Sequence, residues 1–166
     1  VALQDLVAER APRSPLFLAA MARNACNRTP PLGFFRNFVM EKDGKQNNTI
    51  NVKRRGTAPM TDLIRVHALA CGSTAQNSFD RLNDIARTDL LPSGVSDRIR
   101  YALELISMLR IRHQAIDLQR DHPPTNSIEP ENISPAERHN LKDAFQLLSD
   151  AQKFLQFRYP IPARRS

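Results

Sequence analysis

A stretch of twenty-one residues, Thr49 to Leu69 (TINVKRRGTAPMTDLIRVHAL), carries the side chains best suited to chemistry. Thr49, Ile50, Asn51 and Val52 read as the end of a strand, and Lys53, Arg54, Arg55 and Gly56 as a cationic turn. Pro59 to Leu69 read as a helix that places Asp62 and Arg65 on one face. A cationic turn just before the exposed N–H groups of a helix start suits an anion such as phosphate. The same pattern also makes an ordinary strand-to-helix connection. In that reading Asp62 and Arg65 are a surface ion pair worth roughly a few tenths of a kcal/mol. Arg110, Arg112 and Gln114 either reach a groove beside the turn or form a solvated helix face.

Other chemistries find less support. Gly72-Ser73 resembles the Gly-Ser of a nucleotidyltransferase active site. That site needs an Asp-x-Asp pair to hold metal ions against a triphosphate, and the chain contains none. A helix end explains the pair. The five glycines are not in phosphate-loop or dinucleotide spacing. His67 and Cys71 lie four apart on one helix, but two ligands do not make a zinc site. Both read as core-lining residues. His113 lies on the inner stripe of the longest helix and reads as a buried histidine. His122 and His139 read as surface residues.

The elements that must position these groups are mostly helical. Val1–Arg10 has helical spacing, Pro12 to Pro15 interrupt it, and Ser14-Pro15 start a second helix that ends near Asn24 to Cys26. Strand-like runs on either side of Asp43-Gly44 signal a hairpin, packed on the helices through its phenylalanines. Asn77 or Ser78 caps a short helix from Phe79 to about Arg87, with Phe79 inward. Ser96 caps the longest helix, Asp97 to about Arg120, whose inner stripe is Ile99, Ala102, Leu103, Ile106, Leu109, His113 and Ile116. Asp121 to Ile133 has no periodicity and reads as a long loop. Ser134-Pro135-Ala136-Glu137 is a capping box opening a helix to about Phe157. The fold class is therefore all-α: a single domain over residues 1–166, a bundle of five or six helices with one small β-hairpin in the N-terminal third. Residues 158–166 form a loose tail.

Composition bounds the function. At 166 residues and 41% hydrophobic, the chain can bury one core. Two cysteines, Cys26 and Cys71, sit in apolar surroundings and fit free thiols in a reducing, cytoplasmic setting. The apolar run Leu16 to Met21 is too short to span a bilayer. The chain starts at Val1 inside a helical pattern, as expected of a domain from a longer protein. Its net charge of +7 favours phosphate, acidic protein or nucleic acid as partner. The basic residues are dispersed and tryptophan is absent, so nucleic acid ranks last.

Several segments together resemble a known family. They are PLFLAAMARNAC (15–26), PPLGFFRNFVMEKDG (30–44), NTINVKRRGTAPMTDLIRVHAL (48–69), LRIRHQ (109–114) and NISPAERHNLKDAFQLLSDAQKFL (132–155). The chain resembles the putative nucleotidyltransferase substrate-binding domain, a helical domain C-terminal in bacterial signalling proteins with cyclic-nucleotide-binding, CBS and nucleotidyltransferase-like domains. The resemblance implies a non-catalytic helical domain that positions substrate for an upstream domain like that of protein uridylyltransferases. Lys53, Arg54, Gly56, Pro59, Asp62 and Arg65 match the family's central motif, and Arg112, His113 and Gln114 its second. The chain departs at Asn51, where an acidic residue is expected, and at His67, where a tyrosine or aliphatic residue is expected.

The expected binding surface is Lys53, Arg54, Arg55 and Arg65, oriented by Asp62, with Arg112, His113 and Gln114 from the long helix. Its expected partners are a nucleotide or acidic protein substrate and the upstream domain. No cofactor is expected in this chain itself; nucleoside triphosphate and Mg²⁺ belong to the upstream domain. The alternative is a structural module that forms a homodimer or relays a signal through apolar strips on its long helices.

Overall fold

The computed structural model describes residues 3–33, 37–42 and 48–160. Among them lie six α-helices: α1 (Leu3–Arg10), α2 (Pro15–Ala25), α3 (Ala58–Ala70), α4 (Ser78–Ala86), α5 (Val95–Gln119) and α6 (Pro135–Arg158). Three short strands, β1 (Glu41–Lys42), β2 (Asn48–Asn51) and β3 (Ser127–Ile128), form an antiparallel sheet in the order β1-β2-β3. The fold is thus mostly helical with a small β element near residue 48. The expected hairpin turn at Asp43-Gly44, residues Phe34 and Phe35, and positions 161–166 of the tail lie outside the described residues.

α3 is the central helix, packed against α2, α4 and α6. Its Leu63, Ile64 and Val66 are fully buried. α5 and α6 run antiparallel. Arg112 of α5 meets Glu137 at the start of α6, while Tyr101 shares a groove with Ala144 and Leu147 farther along it. The stripe read from the sequence is buried at Ile99, Ala102, Leu103, Ile106 and Leu109, and becomes half-exposed at His113 and Ile116.

The capping box at the start of α6 is present in full. Ser134 Oγ accepts from the Glu137 N–H at 3.2 Å, and the Ser134 N–H donates to Glu137 Oε2 at 2.9 Å. Ser134→Ala is expected to cost about 1 kcal/mol in urea unfolding, with unchanged helical content.

Four expectations need correction. Asp121–Ile133 is not a bare loop. It contributes β3, which pairs Ile128 with Ile50 and Ser127 with Asn51, and the burial of Ile128 and Ile133 anchors it. α5 starts two residues earlier than expected, because Gly94 takes a left-handed conformation (φ +77°) at the N-cap, and Ser96 is buried. Ser14 precedes α2, but its side chain makes no capping bond. Phe79 is 37% exposed instead of inward, with the Arg100 guanidinium over its ring at 5.6 Å.

Candidate functional site

The basic run is neither a simple turn nor a regular helix. Lys53–Thr57 forms a π-helical turn that leads without a break into α3. The Ala58 N–H donates to the Lys53 carbonyl five residues back, the signature of this wide geometry. Such turns insert a residue into a helical path and often mark functional sites. Three features hold this one. β2 leads into it with an edge on either side, and the Val52 N–H donates to the Asn126 carbonyl at 2.9 Å. Asn51 Oδ1 accepts the Arg54 N–H at 2.8 Å, a cap that an acidic side chain at this position would also make. Gly56 is buried; a Cβ there would lie 3.0 Å from Ile106 Cγ2 and 3.2 Å from Phe145 Cε1. Glycine lets α5 and α6 press directly on the turn.

The turn sends its basic side chains two ways. Arg54 and Arg55 both pair with Glu41 of β1, and Arg55 also donates to the carbonyls of Thr29 (2.6 Å) and Pro30 (3.5 Å). These bonds from Arg54, and secondarily Arg55, hold the Glu41 carboxyl below its ordinary pKa. The pair ties the sheet to the segment after α2. Lys53 instead lines a cleft of about 510 Å³ between the start of α3, the N-terminal end of α4 and α5.

Four cationic side chains border that cleft: Arg28, Lys53, Arg65 and Arg110. Arg65 pairs with Asp62 at 2.6 Å on the same helix. The charged ends of Arg28, Lys53 and Arg110 have no hydrogen-bond or carboxylate partner among the described residues, and Arg110 Nε is buried as well. The rim opposite is the start of α4, where Asn77 Oδ1 accepts the N–H groups of Phe79 (3.0 Å) and Asp80 (2.9 Å). Arg81 stands close behind. Its pKa is lowered, first by burial and then by the charge of Arg65. Among the described residues Asp62 is the one carboxylate lining the cleft, and Arg65 occupies it. This electrostatic arrangement suits an anion with several charged oxygens.

A family model described as putative nucleotidyltransferase substrate binding domain matches residues 15–159. The chain belongs to that family. Comparison with curated proteins and with solved structures gives no match.

Within this nucleotidyltransferase substrate-binding domain, the residues expected to form the binding surface fall into two groups. Lys53, Asp62 and Arg65 meet at the cleft. Arg54 and Arg55 are turned to Glu41. Arg112, His113 and Gln114 do not line the cleft. Arg112 donates to Glu137 at 2.6 Å and Gln114 to Asn126 at 3.3 Å, which brace α6 and the strand segment against α5. That bond and the cap hold the Glu137 pKa down at about 2. His113 is half-buried, and burial lowers its pKa.

Arg28 and the start of α4 are lining groups that sequence reasoning missed. No local spacing announces Arg28. It reaches the cleft because buried Gln152 of α6 donates to the carbonyls of Ala25 (3.1 Å) and Arg28 (2.7 Å), fixing the chain after α2. Arg110 had a signal: it follows Leu103 and Ser107 at four and three residues, and these three share the cleft face of α5.

His67 and Cys71 do not form a metal pair. His67 is 1% exposed and packs between the rings of Phe154 (6.3 Å) and Tyr159 (6.1 Å). Cys71 Sγ donates to the Ala68 carbonyl at 3.3 Å. No helix among the described residues is long and apolar enough to cross a membrane.

Proposed function

We propose that this domain binds the phosphoryl-rich part of a substrate in the cleft of Arg28, Lys53, Arg65 and Arg110. It presents that substrate to a nucleotidyltransferase domain of the same protein. The observation that carries this is the convergence of three cations without carboxylate partners among the described residues, plus Arg65, on one cleft beside a helix N-terminal end. The family's description as substrate binding supports the reading. In it the domain is non-catalytic, and nucleoside triphosphate chemistry with Mg²⁺ belongs to the partner domain. A bacterial signalling protein of the cytoplasm is the setting that the family resemblance suggests.

A thermal-shift screen of the chain against pyrophosphate and ATP, UTP, CTP and GTP, with and without Mg²⁺, tests the reading. Ligand at about a hundred times its Kd should add about 2.7 kcal/mol of stability. Lys53→Ala or Arg65→Ala should each weaken binding by about tenfold or more, since each removes a charge-assisted hydrogen bond. Arg54→Ala should leave affinity nearly unchanged, because that side chain is paired with Glu41. A flat screen at millimolar ligand would sink the nucleotide form and leave an acidic protein segment as the substrate.

A further inference from the structure

α5 carries a second face that the cleft does not use. Tyr101, Met108, Ile111 and Leu118 are 58%, 55%, 59% and 60% exposed. With exposed Glu104 and Ala115 they fall at alternating steps of three and four residues, the spacing of a helix-pairing seam. At about 100° per residue all six lie within an arc of roughly 100°. The seam runs about 26 Å along the helix. An ordered row of large apolar side chains facing water marks an interaction surface.

The two ends of the row suit it to pairing with a copy of itself. Its four large residues are separated by seven, three and seven positions, so it reads the same from either end. The two ends also differ in shape in a matching way. At the N-terminal end, Tyr101, Ala102, Ala144 and Leu147 line a groove of about 320 Å³ between α5 and α6, with the charged Asp97, Arg98 and Asp143 beside them. At the C-terminal end, Leu118 projects into solvent. One end is a hole and the other a knob.

We infer that this face pairs, antiparallel, with the same face of a second copy of the chain about a two-fold axis between Met108 and Ile111. Leu118 of the partner subunit packs into the groove beside Tyr101, and the exchange occurs twice, as two-fold symmetry requires. Met108 meets Ile111 of the partner subunit. Glu104 faces Ala115 of the partner subunit, whose small side chain leaves the carboxylate a path to water. Arg98, beside the groove, faces the turn that holds Asp121 of the partner subunit. The fit of knob to hole at the two ends, and the opposite charges of Arg98 and Asp121, make a second copy the occupant. The pairing leaves the cationic cleft open, because that cleft uses Leu103, Ser107 and Arg110 on another side of α5. The proposal therefore stands apart from the proposed function.

Sedimentation velocity of the 166-residue chain from 1 to 200 µM tests it. The expected result is a mass of two chains at the upper concentrations. Met108→Asp and Ile111→Asp should return the mass to one chain with unchanged helical circular dichroism. Phe157→Asp, which changes an 84% exposed apolar side chain on α6, should stay dimeric. In a Tyr101→Cys/Leu118→Cys variant, mild oxidation should link position 101 of one chain to position 118 of the other, mapped by peptide mass spectrometry. A single-chain mass throughout, a dimer that survives Met108→Asp, or links joining like positions would each overturn the proposal.

Discussion

Phe145→Ala is expected to destabilise the domain by about 3–5 kcal/mol. Phe145 is fully buried on α6. It meets Phe38 edge-on, with ring centroids 6.3 Å apart and planes at 87°. Its Cε1 lies 3.2 Å from the place a Cβ would take at Gly56. The ring thus fills the space between the helical core, the segment before β1 and the π-helical turn. Truncation leaves a cavity beneath that turn, and a turn seated on glycine has no side chain to collapse into it. Urea unfolding should show a lower midpoint with an unchanged m-value. Anion affinity should also fall, although Phe145 does not line the cleft, because Lys53 leaves from the same turn. A loss near 1 kcal/mol with unchanged affinity would mean that the sheet alone holds the turn.

Stability should fall as pH drops from about 6.5 to 4, and His67 should be the main cause. Burial, and then the charge of Arg158, lower its pKa from 6.5 to about 4 in the folded chain. Neither ring nitrogen has a hydrogen-bond partner among the described residues. The unfolded chain accepts a proton near pH 6.5 and the folded chain does not, so falling pH favours unfolding through this interval. Above pH 6.5 both states are neutral and the effect vanishes. A shift of this size corresponds to about 3 kcal/mol when complete near pH 4. Glu137, held at about 2, behaves differently. Its contribution is present above its ordinary carboxylate pKa of 4.5 and is lost as pH falls toward 2, so its window lies below that of His67. His67→Leu should flatten the stability curve between pH 6.5 and 4 and leave the lower limb in place. An unchanged curve in His67→Leu would place the titration elsewhere.

The parts of this fold that were legible in sequence are those with strong local signals. The Ser134–Glu137 box fixes the start of α6, and the three- and four-residue stripe from Ile99 to Leu109 fixes the inner side of α5. β3 was not legible, because a two-residue strand has no period of its own and follows the free edge of β2. Gly56 suggests a turn, yet its role is a close approach of helices, which depends on Ile106 and Phe145 far along the chain. The cleft was half legible. Lys53, Asp62 and Arg65 come from one continuous segment, so their proximity is local. Arg110 and Arg112 stand only two residues apart, but a helix turns about 200° between them. Which one faces the cleft depends on where α4 and α6 dock: Glu137 takes Arg112, and the start of α4 closes over Arg110.

If Arg28, Lys53, Arg65 and Arg110 act as one anion site, separate from the arginines tied to Glu41 and Glu137, they respond to an anion together. Titration of the chain with pyrophosphate or a nucleoside triphosphate, followed through the arginine Nε–H signals in ¹H–¹⁵N NMR spectra, tests it directly. Arg28, Arg65 and Arg110 should shift together along one binding curve, while Arg54, Arg55 and Arg112 stay in place. Shifts confined to Arg54, Arg55 and Arg112, with Arg110 unmoved at saturation, would contradict it.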